Sequence, residues 1–347
     1  MSDMTPITPT LMQQEVREIP AALQRMMTHS DTIIQQAARQ AMDLDPAFLV
    51  TIARGSSDHC AAYLKYAFEI QAGLPVASIG PSIASVYGQN LKLANSVALS
   101  VSQSGQSPDI VAAARMSRSN GSLAIAITNE VNSPLAEVCN HAFDISAGPE
   151  KSVAATKTFV TSLVAGLLFL AHFREDQQLL DAIKRLPDQC KIAVRSRWDA
   201  LLDYMKDRDS LYVLGRGPAF AIAHEVALKF KETCQIHAEA YSTAEVMHGP
   251  VSIVGEGFPV LALINNDAAQ ETVRQSISAV EANGAKVFAQ QYDPAGTPDF
   301  VAAGPVHPLT EPVLSIVSFY AFVEELARLR GNNPDLPPNL RKVTETI

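Results

Sequence analysis

The chain is poor in cysteine motifs, in basic charge and in long apolar runs. Its 347 residues include four cysteines, Cys60, Cys139, Cys190 and Cys234, and none of them forms a CxxC pair. This spacing argues against a zinc site or a disulfide and predicts small core residues in a reducing compartment. Lysine and arginine number 27 against 36 acidic residues, a net charge of −9. That balance argues against nucleic acid or an acidic membrane as a general partner.

Signals for export or membrane insertion are also missing. The first ten residues, MSDMTPITPT, have neither the basic start nor the apolar run of a signal peptide. The most apolar stretch, residues 159–173, is too short to span a bilayer. We therefore expect a cytoplasmic protein. With 47% apolar and 18% charged residues, it is expected to fold around a well-buried core.

An internal repeat is the most informative structural signal. Arg54-Gly55 and Arg216-Gly217 each follow an apolar run and precede a helical pattern. Asn120-Gly121 and Asn283-Gly284 stand before further apolar runs at nearly the same offset. A third pair of segments, each a strand, a polar turn and a helix start, covers residues 96–111 and 258–273. These matches predict a duplicated unit.

Each half reads strand–helix–strand–helix–strand. Continuous apolar strands that alternate with helices indicate parallel sheets covered on both faces. The sequence therefore predicts an α/β protein of two tandem three-layer αβα sandwiches, with ligands beyond the carboxyl ends of the strands. We assign residues 1–30 to an N-terminal helical segment, 31–185 and 186–330 to the two sandwiches, and 331–347 to a polar tail. On composition alone, the tail would be a frayed terminus.

A serine-rich loop, SQSGQS at residues 102–107, is the candidate phosphate site. It follows one predicted strand, and Gly55-Ser56-Ser57 follows another. Small hydroxyls, a glycine and a helix N-terminus together form a neutral anion cradle, although such serines can simply cap helices. The second half has NNDAAQ at the matching position, which favours a single site in the first unit. The nucleotide motifs GxxxxGK[ST] and GxGxxG are absent, so nucleotide binding is disfavoured.

The acid–base candidates lie in the second half. Glu225, Lys229 and Glu232 share one helical face, because offsets of three and four residues place side chains over one another. His248 precedes Gly249-Pro250, a turn that would hold the imidazole in place. A carboxylate and an imidazole in this arrangement suit proton transfer on a small polar substrate. The alternatives are a solvated charge network on the helix and a histidine with a purely structural role in the loop.

Together these motifs resemble those of the sugar isomerase (SIS) domain family. The likeness covers nearly the whole chain and is closest to the isomerase half of glutamine–fructose-6-phosphate aminotransferase. It is carried by QQEVREIPAAL, ARGSSDH, SQSGQSPD, AGPEKSVAATKTF, ALKFKETCQIHAEAYSTAEVMHGP and the NLRKVT tail.

The resemblance implies a role for each candidate residue. The sugar phosphate would be bound by Ser56, Ser57, Ser102, Gln103, Ser104 and Ser107. The backbone of Val153 would line the sugar site, and Glu232, with Lys229 beside it, would move a proton between C1 and C2. His248 would open the sugar ring across the interface of a homodimer with shared sites. Lys342 would form a Schiff base with the ketose, so the tail would close over the site. Neither NAD nor a metal is expected, because the proton moves between adjacent carbons without redox change.

Departures from the aminotransferase pattern shape the predicted reaction. Ser2 stands where the aminotransferase has the nucleophilic cysteine of its glutaminase domain, so glutamine-driven synthesis is not expected. Arg341 replaces a small residue beside Lys342. We predict a glucosamine-6-phosphate deaminase that yields fructose-6-phosphate and ammonia. The alternatives are a fructosamine-6-phosphate deglycase and a non-catalytic sugar-phosphate sensor, and a galactosamine substrate stays open.

Overall fold

Two parallel β-sheets form the framework of the protein. The computed structural model describes residues 9–291 and 307–342. Within them the strands are β1 (Phe48–Ile52), β2 (Val76–Ser78), β3 (Ser96–Val101), β4 (Ser122–Thr128), β5 (His141–Asp144), β6 (Ser210–Gly215), β7 (His237–Ser242), β8 (Pro259–Ile264) and β9 (Lys286–Gln291). The first sheet has the order β2-β1-β3-β4-β5 and the second β7-β6-β8-β9, and neighbouring strands are parallel.

Helices cover both faces of each sheet. They are α1 (Leu11–Leu44), α2 (Ser56–Ala72), α3 (Ser82–Ser85), α4 (Pro108–Ser119), α5 (Pro134–Val138), α6 (Lys157–Phe173), α7 (Gln177–Ala193), α8 (Asp199–Met205), α9 (Pro218–Cys234), α10 (Gln270–Ala282) and α11 (Glu311–Leu329). We call residues 48–173 the first lobe and residues 199–291 the second lobe. The predicted pair of αβα sandwiches is confirmed.

The two lobes repeat one another down to single backbone angles. The order β2-β1-β3-β4 corresponds to β7-β6-β8-β9. Gly55 has φ 55° and ψ −133°, and Gly217 has φ 57° and ψ −132°. Gly121 and Gly284 have φ 93° and 95°. Two separate pairs of glycines with matching conformations confirm the predicted duplication.

A shared helical layer between the sheets holds the main core. Alternate strand residues such as Leu99 and Leu261 point into it, and helices α1, α2, α6, α7, α9 and α11 fill it. The opposite faces form smaller cores, where Val50 packs with residues of α4 and Val260 with residues of α10. Side chains of a strand alternate between faces, so each strand serves two cores at once. The second lobe is therefore packed against the first through apolar helices.

The first helix is longer than the sequence reading predicted. Helix α1 runs through Leu44, because buried Ile34, Ala37 and Ala41 continue its apolar face beyond the boundary placed at residue 30. The boundary placed at residue 185 likewise falls inside α7. Both helices belong to the shared layer, so neither position separates two packing units. These two boundaries are corrected.

Apolar residues of the sequence lie where a buried core requires them. The stretch 159–173 belongs to α6, where Phe159, Leu167 and Leu170 are buried in the shared layer. Among the described helices, none has the length and apolar character needed to cross a membrane. All four cysteines are free and buried, which confirms them as core residues.

The turn at Gly121 provides a test of this packing. A Cβ added there would lie 3.1 Å from Cα of Ala94, and the φ of 93° already disfavours a side chain. We expect Gly121→Ala to lower the free energy of unfolding by roughly 2 kcal/mol or more. Gly73→Ala is the matched control, since φ is 67° there and no atom lies within 4 Å of the added Cβ. Urea unfolding should show a smaller loss for the control; equal losses would contradict a contact at Gly121.

Candidate active site

Two serine-bearing loops meet at one edge of the first sheet. Strands β1 and β3 are parallel neighbours, with Ile52 opposite Ser100, so the loops that follow them lie side by side. Helices α2 and α4 begin in these loops, at N-cap residues Gly55 and Ser107, and neither N-cap makes a side-chain capping bond. Uncapped N–H groups at a helix N-terminus attract anions. The edge thus has the features of an anion site.

The serines of these loops have different roles. Ser102 Oγ accepts from the Gly105 N–H at 3.2 Å, and Ser104 Oγ accepts from the Gln106 N–H at 3.3 Å, so both hydroxyls order the loop. The carbonyl of Gln103 accepts the N–H of Asn129 at 3.0 Å. Within the described residues, the hydroxyls of Ser57 and Ser107 form no hydrogen bond. These two serines therefore do not cap the helices and are free to bind a ligand.

A cation stands at the same edge. Arg54 precedes Gly55 and pairs with Asp109, a buried residue in the first turn of α4. The Arg54 side chain is 43% exposed, so it is not closed off from solvent. The ion pair joins the two loops, and the exposed part of the guanidinium offers further N–H donors to an anion.

The acid–base helix is α9 of the second lobe. Lys229 Nζ lies 3.1 Å from Oε1 of Glu225 and 2.7 Å from Oε2 of Glu232. Glu225 and Lys229 have no exposed side-chain surface, and Glu232 keeps 20%. The shared face is confirmed, and the alternative of a solvated charge network is excluded for Glu225 and Lys229.

Lys229 links the acid–base helix to the serine loops. Its Nζ donates to Ser56 Oγ at 2.9 Å, in addition to Glu225 and Glu232. An ammonium has three N–H donors, so each of them has one acceptor here. Because Ser56 accepts this bond, its own hydroxyl proton is available to a ligand oxygen. Within the described residues no donor contacts Oε1 of Glu232, so this oxygen can take a proton.

The buried charges on α9 stabilise one another. Burial by itself lowers the pKa of Lys229, but Glu225 and Glu232 outweigh it and raise that pKa above its ordinary value. Burial raises the pKa of Glu225, but Lys229 and the hydrogen bond from His59 lower it by a larger amount, so the net shift is downward. Both groups are therefore charged at neutral pH. Removing one partner would leave an uncompensated charge in the core.

The tail lies against the loop between β5 and α6. Lys342 Nζ donates to Oε2 of Glu150 at 2.9 Å and to the carbonyl of Ser152 at 2.8 Å. The Val153 N–H donates to the carbonyl of Asp335 at 3.2 Å, so the tail already occupies this amide. The Asp335 carboxylate in turn accepts the N–H groups of Leu11 and Met12 at 2.8 Å each. The tail therefore packs on the first lobe and caps α1.

Glu150 is a buried carboxylate that sequence reasoning missed. It also accepts the hydroxyl of Thr158 at 2.7 Å and the N–H of Thr156 at 3.0 Å. Burial raises its pKa, but Lys342 and Thr158 outweigh that effect and lower the pKa below its ordinary value of 4.5. Its motif was part of the resemblance, but an acidic loop residue gave no signal of burial. His59 was also missed, because its partner Glu225, at 2.9 Å, is 166 residues away along the chain.

His248 makes no polar contact with the other candidates within the described residues. It ends a short 3₁₀ turn, Val246–His248, and is exposed. In the described part of the chain, no hydrogen bond or ion pair involves its imidazole. Within one chain, therefore, no hydrogen bond joins His248 to Glu232. The expected delivery of this imidazole to a neighbouring subunit stays a prediction. No group of three or more His, Cys, Asp or Glu side chains in residues 9–291 and 307–342 could hold a metal ion.

Comparison with known proteins covers most of the chain. The model of the SIS domain matches residues 48–172 and 204–289. The isomerizing glutamine–fructose-6-phosphate aminotransferase of Sulfurisphaera tokodaii is 30% identical over 344 residues, which are 96% of this chain and 56% of that protein. The chain thus spans about half the length of the curated relatives it matches.

Solved structures are similar over nearly the full chain. A protein of Silicibacter pomeroyi DSS-3, provisionally described as a phosphosugar isomerase, has a TM-score of 0.88 and 50% identity, covering 94% of this chain and 100% of that one. The C-terminal domain of glucosamine-fructose-6-phosphate aminotransferase from Francisella tularensis has a TM-score of 0.81 and 26% identity, covering 97% and 100%. These matches confirm the resemblance inferred from the motifs.

The Lys342–Glu150 pair predicts a pH effect on stability. A carboxylate whose pKa is lowered by folding stabilises the protein above its unfolded pKa, and this contribution is lost as the pH falls through the folded pKa. Lys342→Met removes the strongest group that lowers the pKa of Glu150. We expect acid unfolding of this variant to begin at a higher pH than in the wild type. Thermal melts at successive pH values measure this, with Lys206→Met at an exposed position as control; coincident curves for both variants would contradict the pair.

Proposed function

The chain belongs to the SIS domain family, and on this premise we propose that it isomerises a sugar phosphate by moving a proton between C1 and C2. The observation that carries the proposal is the hydrogen-bonded group of Ser56, Lys229 and Glu232. This group joins the proposed anion-binding edge of the first lobe to the partly exposed Glu232 carboxylate of the second. A substrate with a phosphate at one end and a carbonyl at the other can use both.

The phosphate is proposed to bind at the serine loops. The uncapped N-termini of α2 and α4 and the free hydroxyls of Ser57 and Ser107 offer hydrogen-bond donors. The exposed part of Arg54 adds a positive charge. Ser56 can donate its hydroxyl proton to a sugar or phosphate oxygen, because the bond from Lys229 uses only one lone pair of Oγ. The relatives named for fructose-6-phosphate chemistry support a phosphorylated sugar as the substrate class.

The proposed isomerisation starts from glucosamine-6-phosphate. The imidazole of His248, from the neighbouring subunit, opens the ring to the aldehyde. Glu232 then removes the C2 proton while O1 takes up a proton, which gives an enaminol. Return of a proton from Glu232 to C1 leaves a primary alcohol at C1 and an imine at C2. Lys229 keeps the Glu232 carboxylate in place through both transfers.

Hydrolysis of the C2 imine completes the proposed deamination. Water adds to C2, the C2–N bond breaks, and the products are fructose-6-phosphate and ammonia. Lys342 can assist if its amine displaces ammonia first and forms an imine that water then hydrolyses. It must lose a proton and leave Glu150 before it reacts, because in the structure its ammonium is bound by that carboxylate. The tail therefore has to shift during the cycle.

Glucosamine-6-phosphate turnover tests the proposal directly. We expect the purified protein to release ammonia and fructose-6-phosphate in equal amounts. Glu232→Gln should retain substrate binding but lose C2–H exchange with solvent, with a fall in kcat of about a hundredfold or more. Glu281→Gln, an exposed carboxylate on α10, is the control. Exchange that persists in Glu232→Gln would remove this residue from the mechanism.

The outcomes also separate the alternative functions. Turnover of a fructosamine-6-phosphate with none of glucosamine-6-phosphate would identify a deglycase. Binding of sugar phosphates without turnover of any of them would identify a sensor.

Mixed dimers test whether His248 acts across a subunit interface. Glu232→Gln and His248→Ala should each be inactive alone. Because a heterodimer of the two has one intact site, mixing equal amounts after unfolding and refolding should restore about a quarter of wild-type activity. Glu232→Gln mixed with the double variant is the control, since no site in that mixture is intact. Failure to recover activity while mixed dimers form would show that both residues act within one chain.

A further inference from the structure

His59 of the first lobe is bonded to the buried carboxylate at the centre of the acid–base helix. Its Nδ1 lies 2.9 Å from Oε2 of Glu225. The other oxygen, Oε1, accepts the hydroxyl of Tyr320 at 3.0 Å and lies 3.1 Å from Lys229 Nζ. Glu225 is fully buried, and the His59 side chain keeps 21% exposure. His59 is thus two hydrogen bonds away from the ammonium that holds Glu232.

The His59 bond has one direction. The pKa of Glu225 is lowered overall, so this buried carboxylate is ionised and can only accept, and Nδ1 of His59 is the donor. A buried carboxylate that lacks its donors is costly, so Glu225 depends on the bond from His59 as well as on Lys229. His224 stacks on His59 with ring centroids 5.7 Å apart, and burial followed by His59 lowers the pKa of His224. His224 is therefore neutral at pH 7. Asp58, the neighbouring carboxyl on α2, has its pKa raised by burial.

We propose that His59 is a positioning residue for the proton transfer by Glu232, an inference that rests on the proposed isomerase function. Its Nδ1–H donates to one oxygen of Glu225. Lys229 therefore has to serve only the other oxygen, and its remaining N–H groups reach Glu232 and Ser56. Without this donor, Glu225 would have a buried oxygen with no hydrogen bond. Lys229 is the nearest cation, so it would move toward Glu225 and release its hold on Glu232. His59 does not itself touch the substrate in this role.

The proposal predicts a defect in chemistry rather than in binding. The phosphate is proposed to bind to the serine hydroxyls and to free N–H groups at the helix N-termini, whereas the His59 N–H in the first turn of α2 already donates to the Gly55 carbonyl at 3.2 Å. Loss of His59 should therefore lower kcat and leave KM within about twofold, since ground-state binding is unchanged. Losing the bond from Nδ1 also makes the Glu225 carboxylate easier to protonate, because that bond lowers its pKa. The acid limb of the kcat–pH profile should move to higher pH.

Two variants of His59 test its hydrogen bond. His59→Ala removes the donor, and we expect kcat to fall about tenfold or more, the usual effect of losing a hydrogen bond to a charged group. His59→Asn keeps a donor near the position of Nδ1, so it should recover most of kcat and return the acid limb toward its wild-type position. His172→Ala is the control, because that imidazole pairs with Asp31 at 2.8 Å on another part of the fold. Thermal melts check that every variant is folded.

Each outcome supports or overturns the assignment. Wild-type kcat and an unshifted acid limb in His59→Ala would overturn it, as would equal losses in the alanine and asparagine variants with a rise in KM. If His59→Ala does not fold, His59→Phe takes its place, since it keeps a ring without a donor, and wild-type kcat in that variant would overturn the assignment. Wild-type protein that turns over no sugar phosphate would overturn the proposed function itself. Active wild type with an unaffected His59→Ala would overturn only the role of His59.

Discussion

The buried ammonium of Lys229 is the interaction on which the site depends. A charge without contact to water is stable only if every donor has an acceptor, and Lys229 has three, from two lobes. The same bonds that satisfy this charge fix the distance between the serine loop and Glu232. The bonds of Lys229 therefore hold the two lobes together and also place Glu232 beside Ser56. The apolar helical layer supplies most of the contact between the lobes, and Lys229 fixes the relative position of these two side chains.

Local patterns were sufficient to predict the duplicated fold and one half of the site. Apolar periodicity indicates secondary structure, and glycines mark turns with unusual backbone angles. Gly55 and Gly217 therefore marked the same turn in the two halves of the repeat. Helical spacing placed Glu225, Lys229 and Glu232 together, since residues three or four apart must be neighbours on a helix. Helix length was less visible, because α1 continues through a weakly apolar stretch of alanines.

Long-range polar pairs were beyond the reach of the sequence. The partners His59 and Glu225, and likewise Glu150 and Lys342, are far apart along the chain, and each side chain on its own has the character of a surface group. Only the packed structure shows that both carboxylates, Glu225 and Glu150, are buried. Composition also gave the wrong impression of the tail, since a polar, proline-rich segment can be ordered by a few hydrogen bonds to a helix terminus. The family resemblance pointed to Lys342 but named no partner for it.

The contact of Asp335 with the start of α1 has a topological consequence. The Leu11 and Met12 N–H groups donate to the carboxylate of Asp335, so the first and last described segments are adjacent in space. A short linker could join them and new termini could be opened in a surface loop, a circular permutation that keeps the fold. The cap also means that any fusion placed before α1 would sit beside the segment that carries Lys342. Asp335 thus ties the segment before Lys342 directly to the start of α1.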